Sequence, residues 1–363
     1  MGSPHSLVPY GWDDRARAAY AEVAGPDHVP GRVVRVDRIS CVVVTATGDR
    51  IATASELPAV GDWVALERDD AGPDDAEPDA GRPDDARSMV IAATAPRWSA
   101  LTRHDADRER IQVLAANVDV VLVSAPGDRP SAARVERETI LGWESGAQPV
   151  VVVTKADLAP AGYVEELRER LVGVDVIVTS AIEGSGIDPV VRTLQPCRTA
   201  VLLGPSGAGK STLVNALLGE ERLAVGAVRE DDRRGRHTTS SRELVLIPSG
   251  GLLIDTPGVR TLGLGSVEGG LDAAFADVVA LAGQCRFRDC AHRGEPGCAV
   301  QAAVAAGTLD GARLGNYRRL EDEIVGAVKE PDHAGRKAER EERKRSDRQA
   351  KAERSGKTSD DGN

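Results

Sequence analysis

Gly204-Pro205-Ser206-Gly207-Ala208-Gly209-Lys210-Ser211-Thr212 follows the apolar run Thr199-Ala200-Val201-Leu202-Leu203 and leads into Leu213-Val214-Asn215-Ala216-Leu217-Leu218. The first run reads as a buried strand and the second as an amphipathic helix, which frames the residues between them as a phosphate-binding loop. Glycines allow the backbone to turn its N–H groups inward, and the helix N-terminus adds partial positive charge. In such a loop Lys210 reaches the β- and γ-phosphates, and the Ser211 hydroxyl ligates Mg²⁺. The ligand expected from these residues is a nucleoside triphosphate.

Upstream of this loop, strands alternate with helices. Val118–Val123, Pro149–Val153 and Val174–Val178 read as strands, and Ala132–Trp143, Tyr163–Leu171 and Ile187–Leu194 as helices. Downstream, Leu244–Ile247 and Gly251–Ile254 continue the strands. This rhythm predicts a parallel sheet covered on both faces.

Loops at the strand ends decide which base is read. Thr154-Lys155-Ala156-Asp157 follows one strand and Thr179-Ser180-Ala181 the next. A carboxylate at Asp157 accepts both guanine N1–H and the exocyclic amine, a donor pair that adenine lacks. The Lys155 stem can lie along the base, and the Ala181 N–H can meet guanine O6. Asp255-Thr256-Pro257-Gly258 ends a later strand; there Asp255 holds Mg²⁺ through water and the Gly258 N–H meets the γ-phosphate. Arg234-Gly235-Arg236-His237-Thr238-Thr239-Ser240 reads as a switch segment, with Thr239 or its neighbour Thr238 as second Mg²⁺ ligand. Val259 stands where many GTPases carry a water-orienting glutamine, so slow intrinsic hydrolysis is expected. Either His237 or a partner then supplies the missing group; the alternative for His237 is a structural contact.

The N-terminal part has a different texture. Residues 1–30 form an extension with a short helix at Asp13–Val23. Residues 31–98 read as short strands with turns and no helix, which predicts a β-barrel of the oligonucleotide-binding type. Arg103–Val113 reads as a link to the next unit. Residues 69–85 are an acidic, Pro- and Gly-rich stretch that should be a solvated loop. The net charge of −11 is therefore unevenly spread, since Arg336–Lys357 is rich in Lys and Arg. Residues 331–363 form a charged tail, either an exposed helix or disordered, after a helix candidate at Glu321–Lys329. No apolar run approaches membrane-spanning length and no signal-peptide layout is present; three of the five cysteines crowd near a histidine, as for metal and not for a disulfide framework, so a reducing cytoplasm is expected.

Cys285-(x4)-Cys290-(x1)-His292-(x5)-Cys298 offers three sulfurs and an imidazole in one short loop. This soft, closed set of four suits structural tetrahedral Zn²⁺. Cys41 and Cys197 read as core residues.

The chain resembles the ribosome-small-subunit-dependent GTPase A family. The likeness rests on the β-barrel, on the motif order Thr154–Asp157, Ser180-Ala181, Gly204–Thr212, Gly235–Thr239, Asp255–Gly258, and on the Cys/Cys/His/Cys knuckle. Base-reading motifs usually follow the phosphate loop; here they precede it, as in a circularly permuted GTPase. The resemblance implies an oligonucleotide-binding barrel, a permuted α/β GTPase domain over 99–265 and a mostly helical zinc-binding domain over 266–330. It also implies contact with the 30S subunit and 16S rRNA, and conversion of GTP into GDP and phosphate under stimulation by that subunit during its late maturation; a monomer with no membrane partner is expected. Thr154 takes the place of an asparagine found in many other GTPases.

Overall fold

The computed structural model describes residues 6–68, 89–105, 110–171, 173–180, 182–219, 242–255, 270–322 and 324. The acidic stretch 69–85, Ala181, His237, Thr238 and Thr239, Thr256–Gly258, Val259 and the residues 331–363 lie outside the described residues.

Five strands make the N-terminal barrel: β1 (Val29–Val36), β2 (Cys41–Thr45), β3 (Gly48–Thr53), β4 (Trp63–Arg68) and β5 (Met89–Thr94). β1 pairs antiparallel with β2, β2 with β3, and β4 with both β5 and β1, while β3 pairs parallel with β5. The circuit 1-2-3-5-4-1 leaves no open edge, the arrangement of an oligonucleotide-binding barrel. Its interior holds Val33, Cys41, Val43, Ala52, Val64, Leu66 and Met89. Closure depends on Gly31, where a Cβ would collide with Val43 and Leu66. Asp13 caps helix α1 (Asp14–Ala21) by accepting from the Ala16 N–H at 2.8 Å.

A hairpin follows the barrel. β6 (Ala100–Asp105) and β7 (Arg110–Ala116) pair antiparallel, so the stretch Arg103–Val113 is not a plain link. Polar residues such as Thr102, Arg103 and Gln112 fill its strands and hide the alternation; the buried anchors, Leu101 and Leu114–Ala116, lie toward its base.

The central sheet has the order β10-β9-β8-β11-β13-β12, from strands β8 (Val120–Pro126), β9 (Gln148–Thr154), β10 (Asp175–Val178), β11 (Thr199–Leu203), β12 (Glu243–Leu246) and β13 (Leu252–Asp255). All pairings are parallel except that of β12 with β13. Successive residues bury on opposite faces. Val121 and Val123 pack toward α2 (Ala132–Glu144) and α3 (Tyr163–Arg170); Val120 and Leu122 pack toward α4 (Ile187–Thr193) and α5 (Lys210–Leu218). β12 also pairs with β1 at Arg35↔Glu243, joining sheet to barrel. Arg32 makes a second joint. Its fully buried guanidinium donates to the Tyr10 carbonyl, to Asn117 O at 3.3 Å and to Thr199 Oγ1 at 2.8 Å. Burial lowers its pKa to about 10, against the opposing pull of Asp119, Asp13 and Asp62.

The C-terminal unit consists of α6 (Gly270–Ala274), α7 (Ala276–Ala282), α8 (Ala299–Ala305) and a helix over 311–322, here α9. The helix expected from Glu321 thus begins ten residues earlier, because Leu314, Tyr317 and Leu320 bury one face. These helices share a core with Ile140 of α2. Cys41 is in the barrel core, whereas Cys197 is half-buried at the edge of the main core. Among the described residues, no helix is long and apolar enough to cross a membrane.

Candidate functional site

The phosphate loop joins β11 to α5, with β8 on one side of β11 and β13 on the other. Gly204, Gly207 and Gly209 have φ of +137°, +72° and +79°, values that side chains resist. At Gly204 the fit is also tight, since a Cβ would come within 2.9 Å of Ser124 Cβ. Lys210 opens α5 and folds back over the loop, its Nζ donating to Gly204 O at 2.6 Å and Pro205 O at 2.7 Å. Ser211 and Thr212 follow in the first turn, half-buried, and Pro205 and Ser206 are half-buried in the loop. Glu138 of α2 feels the Lys210 charge; burial raises its carboxyl above the usual range, opposed by Arg134, whose Nη1 lies 2.7 Å from Glu138 Oε2.

The Thr154–Asp157 segment touches this loop. Thr154, buried at the end of β9, donates from Oγ1 to Ala208 O at 2.6 Å. Lys155 then takes a left-handed conformation, φ +51°, and Ala156–Leu158 form a single 3₁₀ turn. The Ala156 N–H donates to Thr179 O at 3.1 Å, and the Ser180 hydroxyl donates to Asp157 Oδ1 at 2.8 Å. Asp157 is exposed, with its carboxylate at the carboxyl edge of the sheet. Segments 54 residues apart in the chain are therefore in direct contact around one cleft edge. Asp255 closes β13 one step beyond the Val201↔Ile254 pair, beside the strand that feeds the loop.

The loop after β8 contributes residues that no motif announced. The Gly127 N–H donates to Thr154 O at 2.8 Å, Asp128 Oδ2 lies 2.7 Å from Lys155 Nζ, and Arg129 Nη2 donates to Ser206 O at 3.1 Å. The available signal was Gly127-Asp128-Arg129-Pro130, a turn at the carboxyl end of a central strand, where α/β sheets bind ligands.

In the C-terminal unit Cys285, Cys290, His292 and Cys298 bring their ligand atoms within 4.8 Å of one another, a set able to hold a metal ion. Cys285 Sγ lies 3.9 Å from Cys298 Sγ, and His292 Nδ1 lies 3.6 Å and 3.5 Å from those two sulfurs. Tetrahedral bonds of about 2.3 Å to sulfur and about 2.0 Å to nitrogen require separations of about 3.8 Å and 3.5 Å, so the residues fit zinc. Supporting groups surround the set. The Ala299 N–H donates to Cys285 Sγ at 3.3 Å, the Gln301 N–H to Cys298 Sγ at 3.4 Å, and Glu295 accepts from the Ala291, Arg293 and Gly294 N–H groups. Burial raises the Cys285 thiol pKa, but the Val300 and Ala299 N–H donors and the neighbouring Cys298 and Cys290 outweigh it and leave the pKa lowered; Cys290 is pushed up to about 12, by burial first.

Comparison with known proteins agrees with this geometry. Residues 94–265 match the model of the RsgA GTPase family. The Small ribosomal subunit biogenesis GTPase RsgA of Streptomyces coelicolor is 45% identical over 360 residues, covering 94% of this chain and 93% of that protein. Its namesake from Opitutus terrae is 41% identical, covering 92% and 94%. Among solved structures, YjeQ from Thermotoga maritima superposes with a TM-score of 0.60 at 23% identity, covering 82% of this chain and 99% of that one. YloQ, described as a circularly permuted GTPase, gives 0.58 at 24%, covering 82% and 96%. The chain, with its phosphate loop, the closed barrel ahead of it and the Cys₃His cluster behind it, belongs to the RsgA GTPase family of GTP hydrolases.

Proposed function

We propose that this chain hydrolyses GTP to GDP and phosphate as a checkpoint in late maturation of the small ribosomal subunit. In this reading it is a cytoplasmic monomer that meets 16S rRNA and is stimulated by the 30S particle. The observation that carries the guanine assignment is the 2.6 Å bond from Thr154 to Ala208, which ties the Asp157 segment to the phosphate loop. The relatives' name, Small ribosomal subunit biogenesis GTPase, supports the ribosomal part.

Each residue has a role in this reading. Asp157 accepts from the guanine edge, with Ser180 holding its other flank, and the Ala181 N–H meets O6. The loop 204–212 wraps the phosphates, its backbone N–H groups (Pro205 has none) turned toward them, and Lys210 exchanges its two carbonyl partners for β- and γ-phosphate oxygens. Ser211, Thr239 and, through water, Asp255 would hold Mg²⁺, which offsets charge developing on the phosphates when bound. Gly258 senses the γ-phosphate, and His237 or the subunit completes the site. Zinc in the Cys₃His set has a structural role, since all four positions are filled by protein.

Measuring GTP turnover with and without 30S particles tests the proposal. Stimulation is expected; its absence would instead favour an RNA-binding module gated by nucleotide. Asp157→Asn should weaken GTP binding and erode guanine preference, while Lys210→Ala should abolish turnover at unchanged fold.

A further inference from the structure

The 127–131 loop docks onto the base-reading segment through backbone and side chain together. At Gly127 a Cβ would collide with the Lys155 carbonyl and come within 2.9 Å of Ala159, so only glycine lets the two loops approach this closely. The loop is fastened along its length: the Gly127 N–H to Thr154 O, the Arg129 N–H to Pro126 O at 3.2 Å, and the Ser131 N–H to Tyr163 Oη at 3.3 Å. The Arg129 guanidinium ties it to the phosphate loop at Ser206 O, with Nη2 2.8 Å from where a Gly207 Cβ would stand. On this braced turn sits Asp128, with Oδ2 2.7 Å from Lys155 Nζ.

Lys155 is itself constrained. Its left-handed backbone is an uncommon state for a residue with a side chain, and such strain persists only where the surroundings impose it. Beyond Cβ the stem is a flexible chain that loses much rotamer freedom when it must lie along a base. Asp128 grips the far end of that stem and the left-handed backbone fixes the near end. Both losses are thereby taken in the folded protein before any nucleotide arrives.

We infer that Asp128 is a positioning residue for guanine nucleotides, acting through Lys155 to pre-set the stem as one wall of the base slot. This inference rests on the guanine-site reading above. Asp128 acts through Lys155 on the base face, a part of the nucleotide that GTP and GDP share, while its Oδ1 stands at a looser 4.0 Å from Arg129 Nε. It therefore affects GTP and GDP alike and leaves the chemical step alone.

The test is nucleotide binding and turnover by the full chain and its variants. Asp128→Ala should weaken both GDP and GTP by about fivefold, the scale of a half-exposed ion pair plus part of a lysine's rotamer freedom. At saturating GTP, kcat should be unchanged, and Asp128→Glu should recover most of the affinity. Lys155→Met keeps the stem and removes the ammonium; adding Asp128→Ala to it should cost nothing further. Preference for GDP over inosine diphosphate, which lacks the exocyclic amine, should survive Asp128→Ala and be lost in Asp157→Asn. Unchanged GDP affinity in Asp128→Ala, or equal losses with Met and with Lys at 155, would overturn the inference while leaving the guanine site standing. Wild-type protein that binds ADP and ignores GDP would instead remove the guanine site itself.

Discussion

The barrel and the C-terminal unit are built on opposite principles. The barrel closes through its own backbone: five strands, each paired on both sides, around a core of apolar side chains. The C-terminal unit has helices of 5, 7 and 7 residues before α9, each too short to persist alone. Between α7 and α8 the chain from 285 to 298 is neither helix nor strand; its four ligand residues converge on one point. One region owes its shape to hydrogen-bonded closure; the other docks on α2 and gathers four residues that could hold a metal ion. The two should therefore fail under different insults.

The largest effect is expected from metal removal. Binding of structural zinc supplies on the order of 10 kcal/mol to a small domain, about as much as a whole fold's stability. Chelation, or Cys298→Ser, should open the region after residue 270 to protease while the barrel and GTP binding survive. Mass spectrometry of the limited digest reads this directly, and cleavage within residues 29–68 at the same rate would erase the contrast. Leu66→Ala probes the other side. Leu66 is fully buried in the barrel, and its truncation should cost about 2–5 kcal/mol by denaturant titration. Bound zinc and the knuckle's protease resistance should not change; zinc loss in this variant would mean that the two regions fold as one.

How much could be read from residues alone follows the same division between local and distant causes. The phosphate loop was legible because its glycines answer a local need for positive φ, and the knuckle because its four ligands lie within one short segment. Barrel strands such as Cys41–Thr45 were legible from β-branched runs. The parallel β3–β5 pairing that completes the circuit was not, since residues 37 apart meet there without a periodic signature. The β6–β7 hairpin was missed because its polar strands look like linker. Asp128 was missed for a sharper reason: its partner is 27 residues away, and an isolated ion pair has no pattern. Gln301 and Glu295, which brace the knuckle, were likewise invisible without coordinates.

The smallest predicted effect lies where the C-terminal unit meets the GTPase domain. Glu136 of α2 is buried; Asn316 Nδ2 of α9 donates to its Oε1 at 3.1 Å and Arg170 Nη1 stands 3.8 Å away. Burial raises its carboxyl pKa above the ordinary value of 4.5, a rise only partly offset by Arg170 and Asn316. The folded state then holds a proton that the unfolded chain has already released. Stability consequently falls as pH climbs from 4.5 through the raised folded value, and the deficit persists at neutral pH. Glu136→Gln keeps an oxygen to accept from Asn316 and removes the titration, so it should flatten that slope and add up to about 1 kcal/mol at pH 7. Denaturation midpoints across pH 4 to 8 measure it. A steeper slope, or a loss of stability at neutral pH, would mean that attraction to Arg170 outweighs burial and that α2 and α3 are clasped by charge.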